Sequence, residues 1–182
     1  MSCRSFLALG LLIFLAGLAA AQPQNPSRPK VESPPNIRAV RVTSAPTIDG
    51  TIDEAEWKDS ATFSGLVDQM TGSDCPEAAT FWLSYDSKFI YFAARLSDSQ
   101  PKAIRAVEYR TNSDLAFNGD DLVTLTIDLS GSLLDFSSFS VNPKGATSLT
   151  VAGGRAAKRE WLGEFQASSR ITKDGWETEA RI

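Results

Sequence analysis

From Ile37 onward, apolar residues recur at every second position in short runs, each bounded by Gly, Pro, Asn, Asp or Ser. That period sends neighbours to opposite faces of an extended chain, so these runs read as half-buried β-strands and not as helices. Ala79 to Tyr85 sets Phe81, Leu83 and Tyr85 against Thr80, Trp82 and Ser84. Phe89 to Leu96 sets Ile90, Phe92, Ala94 and Leu96 against Phe89, Tyr91, Ala93 and Arg95, with Asp86-Ser87-Lys88 as a tight hairpin turn between the two. Leu122 to Leu129 points Val123, Leu125, Ile127 and Leu129 inward and Thr124, Thr126 and Asp128 outward. Phe136 to Val141, Ser148 to Val151, Phe165 to Ile171 and Trp176 to Ile182 follow, the last two joined by the turn Lys173-Asp174-Gly175; with Ile37 to Val42 there are at least eight strands. The pattern is all-β, a sandwich or a barrel. Trp82 stands opposite Phe81 and Leu83, so it is buried only if its strand is covered on both sides.

One short helix interrupts the strands. Asp53 followed three residues later by Glu56 predicts a capping box over one turn ending in Trp57. With Ile48 and Ile52 as packing partners Trp57 reads as a core anchor; the alternative is a stacking platform for a sugar.

Residues 1–21 read as a secretory signal peptide: Arg4, an apolar stretch from Phe6 to Leu18, then Ala19-Ala20-Ala21 before the cleavage point. The apolar run is shorter than the ~20 residues a bilayer core requires, and Leu18 follows Gly17 where a lipoprotein signal would place Cys. The expected location is therefore the periplasm, the outer-membrane surface or the exterior. Cleavage removes Cys3 and leaves Cys75 without a disulfide partner, so a packed core must hold the fold. Residues 22–36 hold Pro23, Pro26, Pro29, Pro34 and Pro35 without apolar periodicity and read as an extended linker; the domain is 37–182. Trp176, Thr178, Ala180 and Ile182 alternate with Glu177, Glu179 and Arg181 up to the last residue, which predicts that the sandwich continues beyond this sequence.

Charge and residue usage narrow the chemistry. A net charge of −4 with no run of Lys and Arg excludes a nucleic-acid partner, since a phosphate footprint needs clustered cations. The absence of His removes the commonest general base and metal ligand. Carboxylate chemistry, calcium, or binding without catalysis remain. Glu177 and Glu179, one strand period apart and so roughly 7 Å from each other, match the spacing of a glycosidase pair. Alternation with Trp176, Thr178 and Ala180 instead points both to water with nothing to raise either pKa, so the domain reads as non-catalytic. No other cofactor is required. For calcium, Asn112, Asp114, Asn118, Asp120 and Asp121 supply hard oxygen donors in one glycine-containing loop, with Asp114, Asp120 and Asp121 as the candidate ligands; the alternative is a solvated acidic turn.

Four stretches taken together resemble a known family. They are Ile48-Asp49-Gly50-Thr51-Ile52-Asp53-Glu54-Ala55-Glu56-Trp57; Leu83-Ser84-Tyr85-Asp86-Ser87-Lys88-Phe89-Ile90-Tyr91; Asp120-Asp121-Leu122-Val123 leading to Ile127-Asp128; and Asp174-Gly175-Trp176-Glu177-Thr178-Glu179. In order and spacing they are similar to a family 9 carbohydrate-binding module. Phe139-Ser140-Val141-Asn142-Pro143-Lys144-Gly145 resembles the version found at the N-terminus of long exported bacterial proteins that continue into a region like an outer-membrane β-barrel. The resemblance implies a jelly-roll-like sandwich of two antiparallel sheets, calcium in some members, and sugar chain ends held between two tryptophans, in systems that include O-glycosyl hydrolases.

The implied site is where this sequence departs from the family. Asn118, beside Phe117, falls where sugar-binding members carry Trp; Thr124 falls at the Glu that accepts sugar hydroxyls, and Ser140 at the Arg on the next strand. The second clamping Trp falls beyond Ile182. The carbohydrate-binding candidates are thus Phe117, Asn118, Asp121, Trp82 and Trp161, with Arg110 able to hydrogen-bond. Phe117 stacking on a sugar and Phe117 packing inward both stay open. The expected partner is a polysaccharide or oligosaccharide, bound weakly; the alternative function is a structural domain docking on a downstream β-barrel or a surface partner.

Overall fold

The computed structural model describes residues 36–68, 70–111 and 119–182. Residues 1–35, which hold the expected signal peptide and nearly all of the expected linker, lie outside them. Among the described residues no helix is long and apolar enough to cross a membrane.

The strands form two sheets. In the larger one β3 (Ala79–Tyr85), β4 (Ile90–Ser97), β9 (Gly175–Arg181) and β8 (Gln166–Thr172) lie side by side and antiparallel. Two short strands share the outer edge of β3. There β2 (Ala61–Ser64) pairs antiparallel with Thr80 to Leu83, and β1 (Val40–Arg41) pairs parallel with Ser84 and Tyr85. That parallel contact is the one exception to the antiparallel pattern among the described strands. The smaller sheet is β5 (Val123–Ile127), β6 (Ser137–Val141) and β7 (Thr147–Thr150).

The core lies between the sheets, where alternation places it. Phe81, Phe92, Ala94, Trp176 and Ala180 of the large sheet meet Val123, Phe139, Val141 and Leu149 of the small one, with Phe165 closing the side. Leu129 is a correction: it is 82% exposed. β5 ends at Ile127, and the Asp128 carboxylate then accepts the N–H groups of Ser130, Gly131 and Leu133 at 2.8, 2.9 and 2.6 Å, which turns the chain away from the core. The hairpin at Asp86 forms as expected, its carboxylate accepting from Lys88 N and Phe89 N at 2.6 and 2.9 Å.

The large sheet is covered on its second face as well. Residues Ile48 to Trp57 lie across it, and Ile52 and Trp57 pack on Trp82, Tyr91 and Ala93. Trp57 is 0% exposed, and Trp82 sits beneath it with the Arg95 guanidinium 5.6 Å from its ring centre. The condition for burying Trp82 is therefore met. Helix α1 (Glu54–Trp57) starts at Asp53, whose carboxylate accepts from Ala55 N at 2.8 Å. The capping box is not reciprocal: Glu56 turns outward and accepts from Thr47 N at 2.8 Å and Thr47 Oγ1 at 3.0 Å. A second helix without a strong sequence signal, α2 (Gly154–Glu160), follows β7 and packs back against it.

Glu177 and Glu179 are a correction in their surroundings: the sequence pattern put them in water. They point to the second face as alternation requires, but that face is covered, and they are 5% and 0% exposed. Glu179 accepts from Asp49 N, Gly50 N and Trp57 Nε1 at 3.1, 2.9 and 2.9 Å. Glu177 accepts from Arg95 Nε at 2.6 Å, Arg170 Nη2 at 2.9 Å and Ile52 N at 3.4 Å. Both carboxylates tack the Ile48–Trp57 segment to the sheet from beneath it. Burial raises the Glu179 carboxyl above its ordinary value, and its three N–H donors reduce that rise without cancelling it. Burial also works against Glu177, but the guanidinium groups of Arg95 and Arg170 outweigh it and hold that carboxyl below its ordinary value.

Candidate functional site

The outer face of the small sheet carries hydroxyls where the inner face carries the core. Thr124 and Thr126 of β5, Ser138 and Ser140 of β6, and Ser148 and Thr150 of β7 all point outward because their neighbours Val123, Leu125, Phe139, Val141 and Leu149 point in. The register sets them in two rows, Thr124–Ser140–Ser148 and Thr126–Ser138–Thr150. Thr124 Oγ1 and Ser140 Oγ share a hydrogen bond at 2.8 Å, and Thr126 Oγ1 and Ser138 Oγ one at 3.3 Å. The two positions that the family resemblance assigns to sugar contacts, Thr124 and Ser140, are thus direct cross-strand neighbours on a solvent-facing surface.

One end of this face is built by polar lacing. Asp120 accepts from Val107 N at 2.8 Å, Glu108 N at 2.9 Å and Asn142 Nδ2 at 3.0 Å. Burial opposes its charge, and those donors together with Arg105 hold its carboxyl below the usual range. Asn142 is fully buried and also donates to Glu108 O at 2.9 Å, while its Oδ1 accepts from Ala146 N at 2.9 Å. Asp121 accepts from Arg105 N at 2.7 Å. Glu108 pairs with Arg110, whose guanidinium pulls the Glu108 carboxyl down to about 2. Thr147 N donates to Arg110 O at 3.2 Å, so the 108–110 segment runs beside the start of β7. It presents Tyr109 to solvent, 82% exposed. Tyr109 sits in a stretch without periodicity, so no pattern singles it out; only the structure brings it to the sheet.

The other sequence candidates fall elsewhere. Phe117, Asn118 and Asp114 lie outside the described residues. Trp82 is 7% exposed under the Ile48–Trp57 segment, on the far side of the large sheet. Trp161 is half-buried at the end of α2, its ring 6.1 Å from that of Phe139, and closes the core's flank. Asp120 and Asp121 each spend their carboxylates on backbone N–H groups, and among the described residues no three acidic or cysteine side chains cluster closely enough to hold a metal ion.

On the free side of β7 a cleft of about 620 Å³ opens against α2. Ser148, Thr150, Arg155, Lys158 and Arg159 line it. At the mouth between the sheets lies an apolar groove of about 610 Å³, lined by Leu83, Tyr85, Ile90, Leu125, Ile127 and Ile182 among others.

No family model matches the sequence, and no curated protein matches it. Among solved structures, the chain is similar to a family 9 carbohydrate-binding module from Caldicellulosiruptor kristjanssonii in complex with cellotriose, at 20% identity and a TM-score of 0.53, over 80% of this chain and 67% of that one. A family 9 module from the same organism in complex with glucose matches at 19% identity and a TM-score of 0.49, over 80% and 68%. At such identities it is architecture that is shared: the fold of this chain is a β-sandwich like that of the family 9 module.

Proposed function

We propose that the domain is a non-catalytic, carbohydrate-binding module-like unit that recognises sugar chains on the outer face of the small sheet. The observation that carries this reading is the registered hydroxyl surface at Thr124, Ser140 and Ser148, on a sandwich whose solved counterpart holds cellotriose. A pyranose offers hydroxyls around its rim and an apolar face for stacking, and Tyr109 is the described aromatic beside this sheet, with Phe117 the further stacking candidate from the sequence. Neutral hydroxyls replace the family's charged partners at Thr124 and Ser140, so binding is weak. The expected Kd is millimolar, roughly −4 kcal/mol.

Calorimetric titration with cellotriose and other neutral oligosaccharides tests it, comparing the unmodified protein with Ser140→Val, Tyr109→Ala and Phe117→Ala. Ser140→Val, which puts methyl groups in place of the central hydroxyl of the Thr124–Ser140–Ser148 row, is expected to abolish binding, and loss of either stacking ring to weaken it by about 0.5–1.5 kcal/mol. Binding unaffected by Ser140→Val would place the site elsewhere.

The second reading, docking on a downstream barrel-like region or a surface partner, draws support from the apolar groove between the sheets. Absence of binding to every sugar, with association suppressed by Leu125→Glu in that groove, would favour it.

The unit acts outside the cytoplasm. Arg4, the apolar core and Ala19-Ala20-Ala21 place cleavage after Ala21, and intact-mass analysis of exported protein is expected to find a chain beginning at Gln22. A mass that still includes residues 1–21 would refute this.

A further inference from the structure

We propose that the sugar chain recognised by this domain is anionic, bearing carboxylate or sulfate groups that dock on Arg155 and Arg159 in the cleft between β7 and α2. The inference rests on the sugar-binding reading and names its substrate class. Overall the chain is acidic, with a net charge of −4, yet Thr150 to Arg159 holds three cations and no anion. On α2, Arg155, Lys158 and Arg159 stand three and four residues apart and so share one helix face. That face lines the same cleft of about 620 Å³ as Ser148 and Thr150, the ends of the two hydroxyl rows. Among the described residues, the acidic groups flanking α2 form no ion pair with Arg155 or Arg159. Asp135 is engaged by Gly153 N at 2.7 Å, and Glu160, exposed at the end of α2, does not line the cleft. Arg155 and Arg159 are exposed and have no ion-pair partner among the described residues.

A guanidinium without a carboxylate partner among the described residues, beside a neutral hydroxyl surface, is suited to a ligand that brings the anion itself. Guanidinium binds carboxylate and sulfate through paired N–H donors in a planar fork, with the hydroxyl rows left for the uncharged rim of the sugar. The small sheet is about 10 Å wide across its three strands, so one chain can reach from Thr124 to the arginines.

Trigalacturonate and its methyl ester share a sugar backbone and differ in charge, and a sulfated carrageenan tetrasaccharide carries the other anion. Titrations of the full chain at low salt are expected to show at least one charged oligosaccharide binding about tenfold more tightly than the neutral ester, with the preference falling as salt rises. Whichever charged oligosaccharide shows the larger preference identifies the anion. Arg155→Gln/Arg159→Gln is expected to erase the preference while leaving the binding of the ester and the thermal midpoint unchanged, whereas Lys102→Gln/Lys173→Gln on another exposed surface retains it. If the ester and both charged ligands bind alike, the anionic specificity is wrong and the sugar reading stands. If no oligosaccharide binds, the sugar reading itself falls. If inorganic tripolyphosphate, single-stranded DNA or vesicles of anionic lipid match the charged oligosaccharides, the cleft captures charge without reading sugar and the proposal is overturned.

Discussion

Glu179→Ala is expected to cost about 2–6 kcal/mol of folding stability, because it strands two buried donors, Gly50 N and Trp57 Nε1, at about 1–3 kcal/mol each. Glu179→Gln keeps one acceptor oxygen and turns an NH₂ toward a donor, so it is expected to be destabilising as well. The pH dependence separates this residue from its neighbour. A carboxyl raised in the folded state holds more protons there than when unfolded, so its contribution falls as pH rises from 4.5 through the raised value. Glu177 is lowered; its contribution is complete above 4.5 and is lost as pH falls through the depressed value. The stability gap between the unmodified protein and Glu179→Gln should therefore widen on acidification, while the gap for Glu177→Gln narrows. Denaturant unfolding at a series of pH values from 7 to 3 reads both. Gaps that move in the same direction would refute the assignment of Glu179 as the raised group.

Gly175→Ala is the second change with a large expected effect, about 3 kcal/mol or more. At φ +151° a Cβ on residue 175 would lie 1.9 Å from the Leu96 carbonyl oxygen and 2.9 Å from Ser97 Cα. Ser97 and Gly175 are register partners, so relief requires β4 and β9 to part where their pairing begins. Overpacking at about 1–3 kcal/mol and backbone strain of about 1–3 kcal/mol combine. Gly131→Ala provides the comparison, with φ +67° and open space around it, for which about 1–2 kcal/mol is expected from backbone conformation alone. If the two variants unfold at the same denaturant concentration, the steric account of Gly175 is wrong.

Local alternation carries far in this molecule and fails where the decisive contact is remote in sequence. Phe81, Phe92, Val123, Phe139 and Trp176 all face the core that their period assigns them. The period also put Trp82, Glu177 and Glu179 on one side of their strands correctly. Whether that side is wet depends on Ile48–Trp57, a segment more than a hundred residues from β9, and no local pattern announces where such a segment will lie. Leu129 shows a competing local signal: Asp128, Ser130 and Gly131 make a turn that ends the strand before the apolar period does. The hydroxyl face was legible as outward-facing Thr124 and Thr126, but the pairing of Thr124 with Ser140 and the arrival of Tyr109 beside β7 depend on strand register and on a loop without periodicity.

The two glutamates that fasten Ile48–Trp57 also order events in time. Their partners lie 129 and 125 residues earlier in the chain, at Gly50 and Ile52, and β4 likewise finds its inner neighbour only in β9, with Tyr91 opposite Arg181. As the polypeptide leaves the ribosome, its first half emerges with Trp57 and Trp82 made but without the strand whose carboxylates hold their cover in place. The nascent chain cannot complete this half piecemeal, and closure waits for contacts of long sequence separation, which fold slowly and keep apolar surface open to chaperones in the interval.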